Sequence, residues 1–134
     1  MSGPAEMFQL RRSFTIADLF RFSAVTWNAH RIHYDADFAR GDGLPDAVVQ
    51  SHLHGALVAE ALRRWAGPRS RLRSLDWRNT AAVSPEHTVT VRGRVTKIRE
   101  ERGRTLVDCE LDEVDQSGQT CVVATATVEI GSHQ

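Results

Sequence analysis

The sequence predicts an α+β domain: an antiparallel sheet of five to six strands wrapped around one long central helix. Three observations carry this expectation. Residues Ser51–Ala66 repeat apolar side chains at helical spacing, with Leu53, Leu57, Ala61 and Trp65 every four residues. Residues 71–130 then run as four segments rich in β-branched side chains with a period of two. Between the N-terminal elements and the long helix lies Phe22–Gly55, which holds four of the six histidines.

At 134 residues the chain has the length of one domain, 1–134, with loose ends at 1–6 and 131–134. Met7–Phe14 reads as a short strand. Thr15 is placed as an N-cap with Asp18 three residues on, the acidic form of a capping box. Ile16, Leu19, Phe20, Ser23, Ala24 and Trp27 continue the helical spacing to about Trp27. Asn28–Tyr34 has neither period and reads as a structured loop, and Asp35 caps one short turn, Ala36–Arg40, before the break at Gly41–Gly43. Leu44–Gln50 reads as extended. Ser51 is the expected N-cap of the long helix, and Gly67-Pro68 stops it. Apolar residues occupy most of that helix's circumference, so it is expected to be largely buried.

The strands are expected over Arg71–Ala81, His87–Arg99, Thr105–Asp115 and Gln119–Ile130, with turns at Ser84-Pro85, Glu101–Arg104 and Gln116–Gly118. The last three should form an antiparallel meander. One apolar helix buried in such a curved sheet is the hotdog arrangement.

Composition narrows the function classes. With 17 basic and 17 acidic residues, 41% hydrophobic and 25% charged, the chain reads as an ordinary soluble protein with no global signature of nucleic-acid binding. No apolar run approaches the ~18–20 residues that span a bilayer. No secretory signal is evident, so the cytoplasm is the default location. Cys109 and Cys121 lack a CxxC spacing and metal partners, and read as buried thiols in a reducing compartment. Asp108, Glu110, Asp112, Glu113 and Asp115 read as the exposed face of a strand.

The segment FSAVTWNAHRIHYD, the His-Gly pair of SHLHG and the run TAAVSPEHTVTVRGRV resemble the MaoC-like hydratase/dehydratase branch of the hotdog superfamily, and within it the mesaconyl-CoA hydratase-like subgroup. The resemblance covers about residues 14–130. It implies reversible addition of water to a 2-enoyl thioester of coenzyme A or an acyl-carrier protein, giving a 3-hydroxyacyl thioester, with no metal or organic cofactor. The family's loop reads roughly SGDxNPIHxD, with an Asp and a His five residues apart that hold and activate water. Its histidine falls on His33, but the position five before it is Asn28, and His30 and Arg31 stand where the family has Asn and Pro.

The chemistry fits these residue types. An imidazole's ordinary pKa of ~6.5 suits a general base near neutral pH. His33 is therefore the expected base and acid, with Asn28 orienting the water. Backbone N–H groups at the start of Ser51–Ala66, chiefly that of Gly55, are the expected oxyanion donors, and Gly55 lets the thioester approach. His30, Ser51, His52 and His54 are expected to line the substrate site, although His54 also suits packing at the helix start. Phe22, Trp27, Phe38 and Leu44 suit either an acyl tunnel or the core. Arg63, Arg64, Arg69, Arg71, Arg73 and Arg78 suit coenzyme A phosphates or a solvated rim.

The family pairs hotdogs side by side. A homodimer, a higher homo-oligomer and a heteromer with a related subunit are the expected assemblies. Two other readings compete: a non-catalytic partner subunit, argued from the missing Asp at position 28, and a thioesterase using Glu60 on the helix.

Overall fold

A computed structural model describes residues 6–131. The elements are β1 (Met7–Ser13), α1 (Ile16–Thr26), a 3₁₀ turn (Arg31–His33), α2 (Ala36–Gly41), α3 (Ser51–Ala66), β2 (Arg71–Asn79), β3 (Thr88–Glu101), β4 (Arg104–Asp115) and β5 (Thr120–Ile130). They form one five-stranded antiparallel sheet in the order β1-β3-β4-β5-β2. The fold is the hotdog expected from the sequence.

The sheet curves around α3. Irregularities in register fall between Leu72 and Ser74, Val95 and Lys97, and Glu113 and Val114, and such bulges increase local twist and bend. Leu57, Val58, Ala61 and Leu62 of α3 meet Val89, Val91, Val107, Cys109, Leu111, Val122, Ala124, Ala126 and Val128 from the sheet. Each fully buried Leu or Val among them contributes about 1.5–3 kcal/mol by leaving water. The opposite face of the sheet is polar, with Arg92 paired to Asp112, Arg94 to Glu110 and Arg99 to Asp108.

Thr15 and Asp18 make the reciprocal capping box at the start of α1. At its other end Trp27 adopts the left-handed conformation (φ 59°) and is 94% exposed, so it belongs to neither the core nor a closed tunnel. Asp35 caps α2 by accepting from Phe38 N–H.

Several expectations are corrected. Helix α3 is buried on one face: Ser51, His52, Ala56, Arg63 and Arg64 are exposed, because the sheet covers a single side of it. Ser51 is its first helical residue, not its cap; Gln50 holds the cap position without a side-chain capping bond. Glu113 is not on the exposed face. It shares the inward parity of Val107, Cys109 and Leu111 and is fully buried between its cross-strand neighbours Val91 and Val122. The loose ends expected at 1–6 and 131–134 fall mostly outside the described residues, as does His133; Glu6 is tied down, its carbonyl accepting from Val95 N–H.

Candidate active site

The loop from Asn28 to Asp35 is stapled by its own side chains. Asn28 Oδ1 accepts from His30 N–H at 3.3 Å, and His30 Nδ1 accepts from Ile32 N–H at 3.4 Å. Tyr34 donates its hydroxyl to Ala29 O at 2.9 Å. The Arg31 guanidinium bonds Asp35 at 2.7 Å and lies 4.6 Å above the Phe38 ring. That guanidinium, followed by the Phe38 N–H, holds the Asp35 carboxyl below its ordinary range. A loop so constrained loses little further entropy when it holds a reactant.

His33 closes this turn and is half-buried. Its Nδ1 lies 2.9 Å from Val48 O, and Val48 N–H donates back to Ile32 O at 3.0 Å. A carbonyl can only accept, so Nδ1 carries the proton and Nε2 presents its lone pair. Val48 is three residues before Ser51, which brings the start of α3 to within about 10 Å of it along the chain. The ring of His30 is exposed and 6.1 Å from that of His33.

The first turn of α3 is seated from several sides. Gln50 is fully buried and donates Nε2 to Leu19 O at 2.7 Å and to Ser23 Oγ at 2.9 Å. Trp77 of β2 donates Nε1 to Ser51 O at 3.0 Å, and Ser51 Oγ donates to Asn79 Oδ1 at 3.0 Å. His52 is exposed and packs edge-on to Trp77, with centroids 5.6 Å apart. The N–H groups of Leu53 and His54 both reach Gln50 O at 3.1 Å. The amides of Ser51 and His52 precede any carbonyl of the helix that they could reach.

This geometry alters two sequence-level expectations. In a helix that begins at Ser51, the N–H of Gly55 is directed at the carbonyl four residues back, so the amides left unspent are those of Ser51 and His52. The space beside Gly55 is filled by protein: a Cβ there would lie 2.6–2.9 Å from the Trp77 ring. Gly55 admits an indole rather than a thioester. His54, given either to the site or to packing at the helix start, takes the second role: it is turned into the core, where its Nδ1 lies 2.6 Å from Glu113 Oε1.

Trp77 escaped the sequence reading, and Glu113 entered it only as part of an exposed strand face. Both lie at inward-parity positions of alternating strands, and that parity was the available signal. Of the arginine cluster, Arg64 is paired with Glu60 and Arg73 with Glu129. Glu60 also takes Arg12 at 2.8 Å, so two guanidinium groups engage its carboxylate. No helix among the described residues is long and apolar enough to cross a membrane.

The sequence profile of the family described as hydroxyacyl-thioester dehydratase type 2 matches residues 2–85, more than half of the chain. The chain belongs to this family. It is 55% identical over 49 residues to a mesaconyl-C(4)-CoA hydratase of Chloroflexus aurantiacus; the match takes in 36% of this chain and only 16% of that protein's length. Among solved structures it is similar to a chain of the ChsH1-ChsH2 complex from Mycobacterium tuberculosis, at TM-score 0.85 and 22% identity over 97% of this chain and 99% of that one. It is also similar to an (R)-hydratase from A. caviae involved in PHA biosynthesis, at TM-score 0.86 and 21% identity over 96% of each chain. At these identities the structures speak for the fold.

Proposed function

We propose that the protein is an acyl-thioester hydratase/dehydratase that adds water reversibly across a 2-enoyl thioester to give the 3-hydroxyacyl thioester, with His33 as general base and acid. The observation that carries this reading is the bond from His33 Nδ1 to Val48 O, which leaves Nε2 free to take a proton from water. Family membership supports the reaction class.

In the hydration direction Nε2 of His33 removes a proton from water as its oxygen attacks the β-carbon. The electron pair moves through the α-carbon to the thioester oxygen, and the imidazolium returns its proton to the α-carbon. Asn28 has its Oδ1 engaged by His30 N–H, so its amide nitrogen is the group that donates to the water. The developing oxyanion is held by the unspent N–H groups of Ser51 and His52 at the positive end of α3. These two replace Gly55 as donors in the mechanism. Loss of one such donor ordinarily costs ~2.7–4 kcal/mol in the transition state. In this reading the exposed rings of His30, 6.1 Å from that of His33, and of His52 line the approach of the substrate. Proton transfer and fixed dipoles suffice for this chemistry, so the mechanism asks for no cofactor beyond the coenzyme A or carrier protein that bears the acyl group.

The site's seat on β2 also bears on assembly. Trp77 and Asn79 belong to an edge strand, β2, that among the described residues pairs with β5 alone. A second hotdog added at that edge, either another copy or a related subunit, would lie beside the site.

A partner-subunit reading draws on Asn28, which stands where a proton-accepting Asp is usual and is bonded to backbone. The thioesterase reading is weakened by Glu60, whose carboxylate is engaged by Arg12 and Arg64. Absorbance at the enoyl-thioester band separates all three. With crotonyl-CoA, mesaconyl-CoA and a longer 2-enoyl-CoA, loss of the band without free thiol is expected. Thiol release would move the assignment to a thioesterase, and silence with every substrate to a partner subunit.

A further inference from the structure

Among the described residues, three buried side-chain polar atoms have no hydrogen-bond partner: Gln50 Oε1, His54 Nε2 and Glu113 Oε2. They belong to one group. Gln50 and His54 are four residues apart at the start of α3 and so lie on one face of it, and His54 is bonded to Glu113. The pair is fully enclosed, with side-chain exposures of 1% for His54 and 0% for Glu113. Glu113 sits between two fully buried valines.

Such a pair is a poor device for stability. Desolvation of both groups opposes their attraction, and apolar replacement of a buried ionisable pair is often neutral or stabilising. Two unpartnered atoms make the balance here worse. What the pair does accomplish is directional. The first turn of α3 is tied to α1 through Gln50 and to β2 through Trp77, and His54–Glu113 adds the tie to β4. That turn carries the Ser51 and His52 amides and has no side-chain cap to hold their direction.

We propose that His54 and Glu113 are a positioning pair that orients the first turn of α3, and with it the Ser51 and His52 N–H groups, for the oxyanion of the hydration reaction. The proposal rests on the hydratase reading. It accounts for a costly buried pair one turn from the donors and out of reach of the substrate.

The test compares stability, turnover and local opening in the double variant His54→Leu/Glu113→Val. It should melt at or above the wild-type temperature. Its kcat should fall on the order of 10–100-fold, as expected for slightly misplaced groups, with KM within about threefold. Amide hydrogen exchange over residues 51–55 should quicken about tenfold relative to the rest of α3. Glu113→Gln, which keeps an acceptor for Nδ1–H, should retain most of kcat and of the protection. Wild-type kcat with unchanged exchange in the double variant would overturn the proposal. Should that variant fail to fold, Glu113→Leu against Glu113→Gln decides it, and equal kcat and equal exchange in the two overturn it. If the wild type hydrates no enoyl thioester, the hydratase reading fails by itself; exchange over 51–55 then decides whether the pair orders the turn, and unchanged exchange ends the proposal.

Discussion

Nδ1 of His33 and the carbonyl oxygen of Val48 are 2.9 Å apart, and this one contact determines which nitrogen of the imidazole is open for chemistry. It also binds the histidine loop to the segment that feeds the central helix, so the proposed base and the proposed oxyanion donors are held by the same stretch of chain. His33→Ala should lower enoyl-CoA hydration by about 10²–10⁴-fold, the usual weight of general acid–base catalysis, while leaving the melting temperature close to wild type. His33→Gln should fare no better, since its amide can replace the Val48 contact but cannot carry the proton. An unimpaired rate in either variant removes His33 from the mechanism.

Asn28→Asp tests the departure from the family loop. The substituted carboxylate can still accept the His30 N–H, but it loses the donor that the mechanism assigns to the Asn28 amide. A loss of roughly tenfold in kcat is expected, the weight of one net hydrogen bond. A gain would mean that the native site is short of a base, which favours the partner-subunit reading.

Gly55→Ala should destabilise the fold by about 1–3 kcal/mol, the ordinary cost of overpacking, because its Cβ would fall within 2.6–2.9 Å of the Trp77 ring. Trp77→Leu should relieve that overlap, although it also removes the bond to Ser51 O. Denaturant unfolding of the two single variants and the double variant measures the coupling. Strictly additive effects would show that the indole and the glycine do not constrain one another.

The cysteines supply a prediction that needs no substrate. Burial, with Asp108 adding to it, pushes the Cys109 thiol up to about 11, and burial also raises Cys121. Neither should form thiolate at neutral pH or meet reagent while the chain is folded. Ellman's reagent should therefore read close to zero thiols in native buffer and both cysteines in denaturant. Rapid labelling of the native protein would mean that β4 and β5 open far more readily than their packing implies.

Local signals told most of the fold. The capping box at Thr15 and Asp18, the Gly67-Pro68 stop and the period-two strands each depend on residues close in sequence, and each element formed within a few residues of its expected bounds. The start of α3 lies one residue before its expected place, and that residue bears one of the two amides proposed for the oxyanion. Ser51 suits an N-cap by type, but the buried bonds of Gln50 to Leu19 and Ser23 put the cap one position earlier. Those partners are 31 and 27 residues away, beyond any local rule. Glu113 misled for the opposite reason. Glu110 and Asp112 beside it pair with arginines on the outer face, while its strand parity and its partner His54, 59 residues away, take it inward.

Acid sensitivity should be traceable to Asp108. Arg99 bonds its carboxylate at 2.9 and 3.1 Å and Thr127 donates to it at 2.8 Å. These partners, Arg99 foremost, hold its pKa below the ordinary carboxylate value. A group depressed in the folded state contributes stability above its unfolded pKa of ~3.9, and that contribution is lost as pH falls through the folded value. Asp108→Asn should thus weaken the protein at pH 7, where the wild-type carboxylate is ionised in both states. The gap should narrow steadily below pH ~4 and become independent of pH once both forms are neutral. The pairing is partly solvated, so salt should shrink the gap at pH 7 as well. Urea unfolding of the two proteins at pH 7 and pH 3, each at low and high salt, measures this directly. A gap of equal size at both pH values would show that Asp108 acts through its shape and neutral hydrogen bonds rather than through its charge.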